Sequence, residues 1–141
     1  MKIKIEKLHP NAKMPVFAHK GDAGADLFTT EEIVLFPGDR AVAPTGLKME
    51  IPVGYTGLIW DKSGLAVKKG IKTIGGVVDA GYCGEVCVAL INLSKEEQKF
   101  EVGDKVGQMI VQKREEVEFE EGQIESETTR GAGGFGSTGK N

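Results

Sequence analysis

The sequence predicts an all-β domain, a jelly roll or distorted barrel with one short helix. Three observations carry this. Glycine fills 20 of 141 positions, about twice the usual share of roughly 7%. Most glycines are spaced several residues apart, at 38, 46, 54, 64, 70, 76, 84 and onward, often beside Pro, Asp or Asn. Between them lie short stretches rich in Val and Ile, the pattern of many strands joined by turns. The glycines have no three-residue period, which excludes collagen. An apolar share of 40% supports a packed core, and the length fits one domain.

The segments follow in order. Residues 2–6, KIKIE, alternate cleanly and read as a half-buried strand with Ile3 and Ile5 inward. Residues 31–36, EEIVLF, read as a strand stopped by Pro37-Gly38-Asp39. Residues 40–51 hold one or two more, broken near Pro44–Gly46, and Tyr55–Trp60 is another. Ser63 is placed to cap a helix of one or two turns over residues 65–69, ended by Gly70. Lys72–Asp79 and Glu85–Leu93 read as two strands joined by the turn Ala80–Gly84. The run EVCVALINL is almost wholly apolar, which predicts a central strand. Gln98–Val102 and Val106–Lys113 follow around the turn Gly103-Asp104, and Val117–Phe119 reads as a last short strand. From about Ser126 small polar residues and Gly dominate and no core face is visible. The expected division is therefore a β-domain over 1–125 and a flexible arm over 126–141.

Charge and cysteine narrow the function classes. The net formal charge is −3, but seven acids lie between Glu115 and Glu127, a span without Lys or Arg. The other residues carry 18 basic and 14 acidic groups, a net of +4. A mildly basic body suits a small polyanion such as a nucleoside triphosphate better than a nucleic acid, which needs a clustered basic stripe. No apolar run approaches the roughly 20 residues that cross a membrane. The start, MKIKIEKLHP, lacks the apolar core of a secretory signal. On one strand, Cys83 and Cys87 would sit roughly 13 Å apart at about 3.3 Å per residue. That is beyond disulfide reach, so they read as reduced thiols of a cytoplasmic protein. His9 and His19 have no companion with zinc spacing and read as surface residues.

Five segments could carry chemistry. The first, Gly21-Asp22-Ala23-Gly24-Ala25-Asp26-Leu27, is either a plain turn or a site where an Asp faces hydrated Mg²⁺. In the second, Asp61-Lys62-Ser63-Gly64-Leu65-Ala66, a base and a hydroxyl open a short helix, as ordinary capping or as an anion site. The third runs from Gly75 to Glu85 and sets Asp79 and Tyr82 at a hairpin tip. It reads as turn chemistry or as a general base beside a flat aromatic. The fourth, Gly107-Gln108-Met109-Ile110, puts one Gln in an apolar strand. The fifth, Arg130 to Gly139, formally contains GxGxxG, but no βαβ unit surrounds it. It does hold an Arg, two hydroxyls and many free backbone N–H groups, the parts of an oxyanion cradle. Phe135 in such a tail has no core to enter and is expected to cover a ligand.

These five segments, in this order, resemble the five motifs of the trimeric dUTP pyrophosphatases (dUTPases). The hairpin GVVDAGYCGEV and the terminal RGAGGFGSTG are the most specific parts, and the resemblance spans residues 21–139. It implies a distorted jelly-roll β-barrel with a C-terminal arm, assembled as a homotrimer whose three sites are shared between chains. The implied reaction is Mg²⁺-dependent hydrolysis of dUTP to dUMP and pyrophosphate, removing dUTP and supplying dUMP for thymidylate synthesis. By this resemblance Asp79 is the water-activating carboxylate, and Tyr82 packs under the deoxyribose. The backbone of Gly76, Val77 and Val78 reads the uracil, and Phe135 stacks over it. Lys62, Ser63, Gly64, Gln108, Arg130, Gly136, Ser137 and Thr138 bind phosphates, and Asp26 holds Mg²⁺ through water. No nucleic-acid or membrane partner is implied. Two positions depart from the family pattern: Lys62 stands where Arg is usual, which removes a bidentate fork. Gly81 stands where a second acid is common. Two other readings remain open here: a dCTP deaminase or bifunctional deaminase of the same superfamily, and a non-catalytic nucleotide-binding protein.

Overall fold

The alternating segments form ten strands and one helix in a computed structural model that describes residues 1–124, 128 and 131–133. In chain order these are β1 (Ile5–Lys7), β2 (Ala25–Phe28), β3 (Ile33–Leu35), β4 (Arg40–Met49) and β5 (Tyr55–Trp60). Then come α1 (Ser63–Lys69), β6 (Ile71–Thr73), β7 (Val77–Val78), β8 (Glu85–Asn92), β9 (Gln98–Phe100) and β10 (Lys105–Lys113). One four-stranded sheet has the order β1-β4-β8-β6, a second has β2-β10-β5-β7, and β3 pairs with β9. All pairs are antiparallel. This is the jelly-roll arrangement expected, with the sheets stacked rather than closed into a barrel.

The core lies between the sheets. Leu27, Ile59 and Met109 of the second sheet join Leu47, Val88 and Leu90 of the first in one cluster, with Phe100 fully buried beside them. β8 is interior, as its apolar run predicts, and alternates strictly: Val86, Val88, Leu90 and Asn92 point inward. Buried Asn92 is fully satisfied. Its amide donates to the carbonyls of Leu35 (2.9 Å) and Glu96 (2.7 Å), and its Oδ1 accepts from Ser94. β4 is one strand, not two. It bulges between Pro44 and Leu47, where Gly46 takes φ +66° against the side chains of His9, Ala12 and Thr30.

Five expectations change. The stretch Lys72–Asp79 is two elements, because Gly75 and Gly76 (φ +83° and +122°) turn the chain from the first sheet into the second. β7 therefore pairs with β5 while β8 pairs with β4 and β6, so residues 79–84 connect sheets instead of closing a hairpin. The cap of α1 is Lys62, not Ser63, and it makes no side-chain capping bond. Gly70 ends the helix in the left-handed region as expected, its N–H meeting the carbonyl of Leu65. Val117–Phe119 forms no strand; with glutamates on both sides it lacks a partner edge within the described residues. Ile3 lies outside β1, and Ile3 and Ile5 pack only partly on the core.

Candidate functional site

The first cluster gathers around Asp26. This residue lies inside β2, not in the loop before it, and is only 2% exposed. On the ladder, Gln108 of β10 is directly opposite Asp26 on one side and Trp60 of β5 on the other. Residues opposite each other share a sheet face, so the first, second and fourth segments meet here. Lys62 and Lys105 both place their ammonium groups on the Asp26 carboxylate, Lys105 at 2.7 Å from Oδ2. Burial pushes the Asp26 carboxyl upward, but the two ammonium groups outweigh it and hold it below the usual carboxylate range. Asp26 is therefore a buried anion with both oxygens engaged. Asp22 instead accepts from the N–H of His19 at 2.9 Å, so this one is turn chemistry.

Next to it, Asp61 ties the end of β5 to its surroundings. Its Oδ1 accepts from the N–H and the hydroxyl of Thr73 (2.6 and 2.7 Å), and its Oδ2 pairs with Lys72 at 2.9 Å. Its backbone carbonyl accepts from the Gln108 side-chain amide at 2.7 Å. Ser63 and Gly64 follow at the first turn of α1, both exposed.

The second cluster surrounds a cavity of about 280 Å³ lined by Gly76, Val77, Val78, Asp79, Tyr82 and Cys87 among others. Gly76 is needed there. Its carbonyl accepts from Ile59 N–H (2.7 Å), and a Cβ would lie 2.8 Å from the Ile59 carbonyl oxygen. Asp79 is exposed, and its carbonyl accepts from Tyr82 N–H at 3.2 Å. The Tyr82 hydroxyl donates to the Glu85 carbonyl at 3.0 Å, which lays the ring across Gly84. A Cβ on Gly84 would come within 2.6 Å of Tyr82 Cζ, so a glycine there is what lets the ring lie flat. Glu85 is itself fixed, accepting from Gly46 N–H at 2.6 Å. Burial, then the nearby Glu85, pushes the Cys87 thiol up, so it stays protonated and is no nucleophile. Cys83 and Cys87 are both free thiols. Gly81 has φ +87°, a conformation that favours Gly and disfavours an acid side chain there.

Among the described residues no hydrogen bond or ion pair joins Asp79 or Tyr82 to Asp26, Lys62 or Gln108. Among them also, no three His, Cys, Asp or Glu side chains come together as a metal cluster. No helix among them is long and apolar enough to cross a membrane. Arg130, Phe135, Gly136, Ser137 and Thr138 lie outside the described residues. Sequence reasoning gave no role to Lys105, to the side chain of Asp61, or to Thr73. Lys105 reaches Asp26 only because the β2–β10 register shifts between Lys105 and Gly107. No spacing rule reveals such a shift.

By fold the chain is a jelly-roll protein of the kind seen in phage dUTPases. The Staphylococcus bacteriophage 80alpha dUTPase with dUPNHPP superposes with a TM-score of 0.90 at 30% identity, covering 99% of each chain. A mutant dUTPase from phage phi11 of S. aureus, described for the coordination of a structural Mg(II) ion, gives 0.83 at 28% identity over 89% of this chain and all of its own. Residues 10–139 match the family model described as dUTPase, and the chain belongs to that family. A deoxyuridine 5'-triphosphate nucleotidohydrolase of Clostridium novyi is 45% identical over 99% of both chains. One from Thermobifida fusca is 44% identical over 99% of this chain and 79% of its own length.

Proposed function

We propose that the chain hydrolyses dUTP to dUMP and pyrophosphate, removing dUTP and supplying dUMP for thymidylate synthesis. The observation that carries this reading is the second cluster: a carboxylate, Asp79, exposed at a glycine-shaped cavity beside a pinned aromatic ring. The backbone of Gly76, Val77 and Val78 takes the uracil edge, and Tyr82 packs under the deoxyribose, leaving no room for a 2′-hydroxyl. A site that must satisfy buried polar groups rejects bases that leave them unpaired. Asp79 accepts a proton from water as it attacks the α-phosphorus in line.

The first cluster receives the triphosphate. Lys62, Ser63, Gly64 and Gln108 bind phosphate oxygens, joined from the arm by Arg130, Gly136, Ser137 and Thr138, while Phe135 covers the base. Each Asp26 oxygen already carries a lysine contact. Asp26 would hold Mg²⁺ through water, and the ion would supply charge neutralisation at the substrate phosphates. No polar contact links the two clusters among the described residues of one chain, and a homotrimer completes each site, one chain supplying Asp79 and another Lys62. Unpaired Cys83 and Cys87 suit a reducing cytoplasm. The test is pyrophosphate release from dUTP, dTTP, dCTP and UTP with Mg²⁺. Strong preference for dUTP is expected; equal rates, or ammonia from dCTP, would overturn the reading.

A further inference from the structure

We infer that Asp61 is a positioning residue for the phosphate-binding turn Lys62-Ser63-Gly64. This rests on the dUTP-hydrolysing reading above. The turn needs an anchor, because α1 buries none of its residues and its cap residue makes no side-chain capping bond. Of α1, Leu65 packs on the core while only partly buried, and the Lys62 side chain reaches Asp26; the backbone where the turn begins is held at residue 61.

Asp61 supplies the anchor one residue upstream. It makes four polar contacts to three residues on two other strands. Thr73 gives its N–H and hydroxyl to one carboxylate oxygen, and Lys72 pairs with the other. Gln108 gives its amide to the Asp61 carbonyl. Thr73 and Lys72 belong to β6 in the first sheet, and Gln108 to β10 in the second. Residue 61 thus pins the end of β5 to both sheets at the point where the chain leaves for α1. Charge-assisted bonds of this type are short and directional. Losing the carboxylate would leave the buried Thr73 N–H without its acceptor and let the turn rotate away from Asp26 and Gln108. Asp61 itself touches no phosphate; it acts through Lys62 and Ser63.

The test compares two ligands on the full-length protein. The analogue dUpNHpp reads the whole triphosphate, whereas dUMP reads mainly base, sugar and α-phosphate. Asp61→Ala is expected to weaken dUpNHpp about tenfold, the scale of one lost strong contact, and to raise KM for dUTP more than it lowers kcat. Its dUMP affinity should stay within about twofold of wild type. Asp61→Asn keeps an oxygen for Thr73 and should recover most of the dUpNHpp affinity. If Asp61→Ala does not fold, Thr73→Val decides, since it deletes one partner hydroxyl at nearly constant volume. A selective loss for dUpNHpp in that variant supports the role. Equal binding to wild type, or parallel loss for both ligands, overturns it. Wild-type protein that binds neither ligand would instead overturn the dUTP reading.

Discussion

The Gln108 side chain donates to the backbone carbonyl of Asp61 at 2.7 Å, across 47 residues of sequence. The opposite side of that amide rests on Gly24. A Cβ there would overlap Gln108 Oε1 and come within 2.8 Å of its Cδ. Gly24 thus leaves the space in which Gln108 reaches Asp61. Gly24→Ala is expected to push Gln108 off Asp61, costing about 1–2 kcal/mol of stability and weakening dUTP binding. Placed on Gln108→Ala, the same substitution should cost much less, with a coupling of about 1 kcal/mol. Urea denaturation of the four proteins checks this; simple additivity would mean that Gly24 does not act through Gln108.

Asp79→Asn tests the proposed base. Asn keeps the shape and can still hydrogen-bond a water, but cannot take its proton. Turnover should fall by roughly 10²–10⁴, with dUpNHpp binding close to wild type. Near-normal pyrophosphate release in this variant would remove Asp79 from the chemistry.

Much of the fold is legible from local pattern. EVCVALINL has no breaker and alternates inward with Val86, Val88 and Leu90, so β8 declares itself. Tyr55–Trp60 and the helix ending at Gly70 are equally plain. Partner choice is not legible. Val77–Val78 reads like the upstream half of a hairpin with β8, yet two positive-φ glycines send it to β5. The ion pairs of Asp26 are hidden for the same reason: Lys62 is 36 residues away, and Lys105 arrives through a register shift. Ser63 looks like a cap by residue type, but Lys62 holds the capping position and turns its side chain to Asp26. In each case a long-range contact decided among local options of similar energy.

Gly76 and Gly81 both have positive φ, but only Gly76 is crowded. At Gly81 a Cβ meets open space, whereas at Gly76 it meets the Ile59 carbonyl at 2.8 Å and Ile59 Cβ at 3.1 Å. Gly81→Ala should therefore cost only backbone strain, about 1 kcal/mol. Gly76→Ala adds a clash with β5 and should cost about 3 kcal/mol, opening the β5–β7 pair that frames the cavity. Thermal unfolding ranks the two. KM for dUTP should rise for Gly76→Ala and change little for Gly81→Ala.

Removing residues 129–141 should leave the domain folded, because among the described residues the buried core cluster and the residues packed on it end at Val111. The melting temperature should stay near wild type. Activity should fall by about 10² or more, the scale of losing one preorganised anion donor, since Arg130, Ser137 and Thr138 go with the arm. Full activity in the truncated protein would show that the arm is not part of the site.

Asp61 also sets an acid limit on stability. Burial pushes its carboxyl up, but the Thr73 N–H, Lys72 and the Thr73 hydroxyl outweigh burial and hold it below the ordinary 3.8. The unfolded chain then binds this proton more readily than the folded one. Stability from this group is therefore fully present above about pH 5 and is lost as pH falls through the lower folded value. Asp61→Asn has no proton to exchange. It should be less stable than wild type at pH 7, because Lys72 loses its partner charge. The gap should narrow as pH drops below about 4, where the unfolded wild-type carboxyl takes up its proton, and level off once pH has fallen through the lower folded value. Asp26 titrates in both proteins, so the difference between them isolates residue 61. Urea midpoints at pH 7, 5, 4 and 3 measure the gap, and a constant gap across that range would show that Asp61 is not held as a paired anion in the folded state.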